Sequence, residues 1–248
     1  MTTTKIEIRK CCICKEESEQ VILTSTSAFG SMDLDTRPPA LQRFTIDTWV
    51  QRCPSCGYCA SEINKLEQGA AQLVSSDAYK NQLNSPNFPE LANSFMCLSM
   101  IHEETGEYAS AAWDSIHAAW ACDDVTDSMS WRSIRQTTQE VHSDLAYRRA
   151  SIDPTAKKCR RRALVLLRKA QEARQSFSKQ VGGEEALIVD LLRRVGEFDE
   201  ALKVCNDGLK KSPDEILTAV LKLQIRLINS KDVAGHTVAK AMDVEAGS

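Results

Sequence analysis

No apolar run in the chain approaches membrane-spanning length, and the opening MTTTKIEIRKCC has no apolar core of the kind a secretory leader needs. Both absences point to a cytoplasmic protein with no part in a membrane. Aromatic residues make up 6% of 248 positions, with ten glycines and seven prolines. That scarcity of turn formers argues against a β-sandwich and suits a mostly helical body. A phosphate-binding loop, a dinucleotide fingerprint and a nucleophile elbow are all missing, so none of those chemistries has a signature here. The net charge of −3 argues against general affinity for nucleic acid. Histidine is absent from the N-terminal part of the chain, first occurring at His102.

What that N-terminal part does contain is cysteine, with six of the ten in the chain lying between Cys11 and Cys59. In a reducing compartment so many thiols are metal ligands or buried apolar groups sooner than disulfides. Cys11 and Cys14 form one C-x-x-C pair and Cys53 and Cys56 another, with the long connection from Lys15 to Arg52 between them. C-P-x-C is also the spacing of a redox dithiol, but such a site opens a helix within a βαβ unit, and no such pattern surrounds Cys53. Two pairs, each followed by a turn, have the spacing of a structural Zn2+ site with four thiolate ligands. Iron–sulfur ligation uses similar cysteines, but paired knuckles on a strand-rich scaffold favour zinc. Gly57, directly after Cys56, permits the tight knuckle that aims backbone amides at the sulfurs. Cys12 and Cys59 are spare thiols, read first as buried small apolar groups and second as exchange ligands that join the metal site.

KIEIRK and FTIDTWVQRC alternate apolar and polar residues and read as short strands. Pro38, Pro39 and Pro54 interrupt any helix, with Gly30 and Gly57. Residues 1–63 therefore read as a small four-cysteine ribbon that needs a metal staple, and 64–248 as a separate helical domain of about seven helices. Leu91, Phe95 and Leu98 follow a helical stripe, as do Ile134, Thr138, Val141 and Leu145. Asp153 with Pro154, and Ser212 with Pro213 and Glu215, read as helix starts. Gly182 and Gly183 separate two helices.

Within the helical part, LLRRVGEFDEALKVCNDGLKKSP (191–213) resembles the tetratricopeptide pattern, with Gly196 in the turn, Ala201 at the helix crossing and Pro213 ending the unit. Gly208 stands where that pattern has alanine. IHEETGEYASAAWDSIHAAWACDD (101–124) keeps the same offsets through Gly106, Tyr108, Ala111 and Ala118. The ordered set CCIC, FGSMDLDTRPPALQRFTIDTWVQRCPSCGY and LLRRVGEFDEAL resembles a bacterial family catalogued as a domain of unknown function. Its members look like an N-terminal zinc ribbon followed by tetratricopeptide-like helices. The resemblance implies Cys11, Cys14, Cys53 and Cys56 as ligands, with Cys12 standing where the family has proline. It carries no activity across.

Three further groups invite chemistry. Asp33, Asp35 and Arg37 lie between the knuckles, either as a binding loop or, more plainly, as a turn network tying that loop down. His102, His117 and His142 lie on different helices, where His102 and His117 meeting near Asp114 and Cys122 is the exotic alternative to core packing. KKCRRRALVLLRKAQEARQSFSK (157–179) has an apolar face of Leu166, Ala170, Ala173 and Phe177, and its cations, Arg160, Arg161 and Arg162 among them, are solvated charges or phosphate contacts. The four tryptophans, Trp49, Trp113, Trp120 and Trp131, read as core. The expectation is a mainly α protein with a small zinc-ribbon β region, acting as a non-enzymatic adaptor for a protein or peptide. The alternatives are nucleic-acid binding through the ribbon and the 157–179 helix, and a thiol or metal redox sensor.

Overall fold

The computed structural model describes residues 1–134 and 154–246. The alternation in KIEIRK gives strand β1, Thr3–Lys10, which pairs antiparallel with β2, Glu17–Ser25, so that Ile6 faces Val21 and Lys10 faces Glu17. A second, minimal hairpin joins β3, Gln51–Arg52, to β4, Cys59–Ala60. The segment FTIDTWVQRC departs from expectation, because its first half belongs to a 3-10 helix over Gln42–Thr48 and only Gln51–Arg52 near its end is strand. Its threonines explain the difference. Thr45 Oγ1 donates to the Gln42 carbonyl at 2.8 Å and Thr48 Oγ1 to that of Thr45 at 2.7 Å, so the carbonyls are satisfied locally and need no partner strand.

From residue 70 the described chain is helical: α1 Ala70–Ser75, α2 Asp77–Leu83, α3 Glu90–Glu104, α4 Tyr108–Ile134, α5 Pro154–Glu172, α6 Gly183–Val195, α7 Phe198–Lys210, α8 Glu215–Asn229 and α9 Val238–Ala246. No strand follows residue 64 among the described residues. The stripe through Thr138, Val141 and Leu145, with His142, Asp153 and the Trp131 side chain, lies outside them. Pro154 does open α5. Ser212 does not cap α8. Asp214 does, accepting from the Leu217 amide at 2.8 Å, while Ser212 takes a left-handed φ of 54° as the chain leaves α7. Aspartate fits there because Pro213 has already turned the chain and the carboxylate faces the positive helix end.

Two hairpins, α3–α4 and α6–α7, turn in the same way. Gly106 (φ 79°) and Gly196 (φ 91°) are left-handed. The amide of Gly106 bonds the Glu103 carbonyl and that of Glu107 bonds His102, while Gly196 bonds Arg193 and Glu197 bonds Leu192, which is the doubly bonded glycine ending of a helix. Ala111, Ala118 and Ala201 are fully buried at the helix crossings. Gly208 occupies the remaining small position for a steric reason. A Cβ there would lie 2.9 Å from Glu185 Cβ and 3.2 Å from Leu221 Cδ1, so α7 comes too close to its neighbours for alanine.

The apolar core is continuous from the β region into the helices, with Leu34, Ile46 and Val50 in one cluster with the buried faces of α3 to α9. The face expected for 157–179 holds only for α5 itself. Leu166 and Ala170 are buried, but the helix stops at Glu172, Ala173 is exposed, and Phe177 packs from the following loop. None of the described helices is long and apolar enough to cross a membrane.

Candidate metal centre

Each C-x-x-C pair is the loop of one hairpin. The first runs from Cys11 to Glu16 between β1 and β2, the second from Cys53 to Tyr58 between β3 and β4. Their backbones match bond for bond. The Lys15 amide donates to the Cys11 carbonyl at 3.0 Å and the Cys11 amide to Glu16 at 2.9 Å. In the second loop Gly57 donates to Cys53 and Cys53 to Tyr58, both at 2.9 Å. The turn needs a left-handed residue after the second cysteine. Gly57 provides it with φ 76°, and Lys15 adopts φ 68° at the equivalent place, its ammonium reaching the Cys12 carbonyl at 2.6 Å.

This geometry brings Cys11, Cys14, Cys53 and Cys56 together, with one sulfur from each lying within 4.8 Å of the other three. Across the loops, Cys11 and Cys56 are 3.7 Å apart and Cys14 and Cys53 3.5 Å. A regular tetrahedron of sulfurs around a metal at about 2.3 Å has edges of about 3.8 Å. The four sulfurs can therefore take a metal ion with little movement, and all ten cysteines are free thiols. Among the described residues no other group of three or more cysteine, histidine or carboxylate side chains is arranged to do so.

The electrostatics favour one thiolate and oppose more. The Glu16 amide, pointing at its sulfur, brings the Cys14 thiol down to about 7. Burial pushes the Cys53 and Cys56 thiols up, against the opposing pull of knuckle amides at Ser55, Cys56 and Tyr58. A bound dication reverses that balance, because its charge stabilises all four thiolates together.

The two spare cysteines have different surroundings. Cys12 is partly exposed, and its sulfur donates to the Lys65 carbonyl at 3.3 Å. Cys59 is fully buried behind the second knuckle, its sulfur 3.4 Å from the Gly57 carbonyl and its amide 3.1 Å from the Tyr79 hydroxyl. Neither joins the four-sulfur cluster.

Asp33, Asp35 and Arg37 form no surface binding loop, because all three are buried. Asp33 pairs with Arg43 at 2.7 Å. Asp35 Oδ2 accepts from Trp120 Nε1 at 2.8 Å and from Arg194 at 3.0 Å. Arg194 also reaches Asp123 at 3.0 Å, and Asp123 pairs in turn with Arg160. Arg37 pairs with Asp124. Burial alone would raise the Asp35 carboxyl, but Arg194, Arg160 and Arg37 with the Trp120 N–H hold it below its ordinary value. The backbone adds to the anchorage: Leu34 donates to His236 at 2.8 Å, and Met32 accepts from Val238 at 2.9 Å at the start of α9. The connection between the knuckles is thus clamped onto α4, α6 and the α9 entrance.

Arg160 is accordingly no phosphate contact, being 1% exposed and committed to Asp123. Arg162 is partly buried against Glu103 at 2.7 Å, and Arg161 is exposed, 3.7 Å from Glu197. The exposed cations of α5 are Lys158, Arg161 and Arg168.

His102 Nδ1 lies 2.6 Å from Asp114 of α4. His117 takes a different place, with its ring centre 5.2 Å from Trp49, 5.3 Å from Phe95 and 5.0 Å from Trp120. Trp49, Trp113 and Trp120 join His117 in lining an open pocket of about 460 Å³. These tryptophans are core residues as expected, Trp120 within the buried cluster and Trp49 and Trp113 packed against it, and with His117 they also line this pocket. The spacing Trp113, His117, Trp120 (i, i+4, i+7), which puts all three on one face of α4, was the available signal. No known protein family, curated protein or solved structure matches the chain.

Proposed function

We propose that the protein is a non-enzymatic adaptor in which a zinc ion at Cys11, Cys14, Cys53 and Cys56 staples together a ribbon that is fused to a tetratricopeptide-like body, and that this body docks a protein or peptide partner. The observation that carries this reading is the four-sulfur cluster on two matching knuckles. Soft thiolates in a tetrahedral set suit Zn2+, which needs no particular redox state, and a shell filled by four protein ligands leaves no open position for catalysis. The repeated glycine turns of α3–α4 and α6–α7, with small residues at both helix crossings, support the repeat reading and its extended binding face.

Purified protein should contain about one zinc per chain. Immobilised on a support, it should retain a protein from an extract of its source cells that the Cys53→Ser protein does not retain. Absence of metal from protein purified under reducing conditions refutes the zinc staple, and failure to retain any protein refutes the adaptor.

Nucleic-acid binding is the second reading, favoured by the exposed Lys158, Arg161 and Arg168 along one side of α5. It requires retention of DNA or RNA that falls steeply with salt, through counterion release, and that is lost when those three cations are changed to glutamate.

A further inference from the structure

The pocket above the metal connection has two walls of different origin. One is the face of α4 carrying Trp113, His117 and Trp120. The other comes from the segment between the two knuckles, including Met32, Pro38, Pro39 and Trp49. No side chain lining it carries a full charge, and the walls are mostly indole, proline and other apolar surface. At about 460 Å³ it falls within the range of sites that hold small ligands or large anchoring side chains.

Its polar furniture is specific. The Trp120 N–H is committed to Asp35, and the Trp49 N–H to Thr45 Oγ1 at 3.0 Å. The His117 ring nitrogens, in contrast, have no hydrogen bond with any described residue. Burial keeps that imidazole neutral, with its pKa down to about 4, despite the Asp35 charge nearby. A neutral imidazole has one nitrogen free to accept, so an occupant that brings an N–H or O–H into this aromatic site gains a partner. A cation is disfavoured. The Arg37 guanidinium does not line the pocket but lies 6.0 Å from the centre of the Trp120 ring, where it opposes a second positive charge on that indole. The apolar lining includes Met32, which is 48% exposed, and Phe29, three positions earlier in the same segment, is 67% exposed. Apolar surface around a pocket mouth suits a side chain with flanking polypeptide better than an isolated small molecule.

We propose that this pocket docks a tryptophan or tyrosine side chain presented by an extended segment of a partner protein, with His117 accepting the ring N–H or O–H. The proposal rests on the adaptor reading and names the feature of the partner that the adaptor recognises. Because half of the pocket wall is suspended between the two knuckles, the same proposal makes docking dependent on the metal.

The test uses the full-length, metal-loaded chain labelled with 15N, following the tryptophan indole N–H resonances. The probes are N-acetyltryptophanamide, N-acetyltyrosinamide, N-acetylphenylalaninamide, N-acetylalaninamide, free indole and choline. The tryptophan and tyrosine amides should saturate the protein and shift the Trp113 and Trp120 indole signals, with tyrosine binding about tenfold tighter than phenylalanine. In His117→Phe, which keeps an aromatic ring and removes the acceptor, that tyrosine preference should vanish while the phenylalanine amide still binds. Trp113→Ala should weaken every aromatic probe about tenfold or more. Preferential binding of choline overturns the proposal in favour of a cation cage. Equal affinity for indole and N-acetyltryptophanamide overturns the peptide occupant in favour of a small ring compound. If no probe shifts the indoles while the protein still retains a partner from extract, the pocket proposal fails and the adaptor reading survives.

Discussion

Replacing His117 with phenylalanine should remove a specific part of the protein's sensitivity to acid. The imidazole sits among Trp49, Phe95, Trp113 and Trp120, and burial lowers its pKa from an ordinary 6.5 to about 4. The charge facing it is Asp35, whose carboxylate is already neutralised by Arg194, with Arg160 and Arg37 close by, so it cannot hold an imidazolium in place. Below about pH 6.5 the unfolded chain takes up a proton on His117 that the folded chain refuses until about pH 4. This contribution therefore leaves stability intact above about pH 6.5 and erodes it as pH falls from there to about 4. Between pH 7 and pH 5 the two titrations differ by at most about 2 kcal/mol, the pocket side of the ring being partly open to water. Urea unfolding at pH 7, 6 and 5 should show wild type losing up to about 2 kcal/mol more than His117→Phe. Comparing the two proteins cancels thiolate protonation at the metal site. It also cancels His102, whose net shift is upward because Asp114, Glu67 and Glu107 outweigh its burial, and which acts in the opposite sense. Equal losses in the two proteins, or an NMR titration of His117 centred near 6.5, would refute the reasoning.

Four further outcomes are expected. Cys53→Ser should lose the metal and collapse the near-ultraviolet tryptophan signal, since Trp49 is on the connection, while far-ultraviolet helical signal largely persists; a parallel loss of both would mean that the helices depend on the metal. Gly196→Ala should cost about 1–2 kcal/mol in denaturant unfolding, from left-handed strain alone, since nothing lies within 4 Å of its new Cβ. Gly57→Ala should cost more, because its Cβ would come 2.3 Å from Leu83 Cδ2 as well, and equal costs would undo the steric argument. Asp35→Asn should destabilise the fold by about 3 kcal/mol or more, since it removes the carboxylate that Arg194 and Trp120 share, and a melting temperature like the parent's would show that the buried network is dispensable.

The features legible in the sequence were those governed by short spacing. Two C-x-x-C pairs, one with a following glycine, sufficed to place both knuckles, and glycine with small residues at fixed offsets sufficed to place both helical hairpins. The features that were not legible depend on partners far away in the chain. Arg160 looks like one more cation on a basic helix, and only Asp123, 37 positions earlier, makes it a core residue. Asp35 meets Arg194 across 159 positions, so nothing local marks the connection as buried. The expected strand at FTIDTWVQRC failed because alternation records which side chains are buried, as Ile46 and Val50 are, without recording where the carbonyls find donors. Strand β2 was overlooked for a related reason. Its ESEQ half looks like a solvated loop until β1 is laid against it, Lys10 facing Glu17 and Glu7 facing Gln20.

The four-cysteine cluster and the buried ion network act on the same piece of chain, the cluster at its ends and the network at its middle. Beyond β2, the connection that runs on to Cys53 has little regular structure to hold it. Cross-linking the ends of such a loop removes unfolded-state entropy worth about 4 kcal/mol in the chain-entropy picture, but it leaves the middle free to wander. Asp35 and Arg37 pin that middle to Arg194, Trp120 and Asp124, and Asp33 ties it to Arg43 within the connection. The pocket-lining residues that the connection supplies then fall into two stretches on either side of Asp35, from Ala28 to Met32 and from Thr36 to Trp49. The first stretch follows β2 and the second leads into β3 and its knuckle, and the ion network holds the end that each has nearest Asp35, which is the arrangement a preformed wall against α4 requires. Loss of either anchor frees both stretches at one end, so the pocket should open before the helices melt.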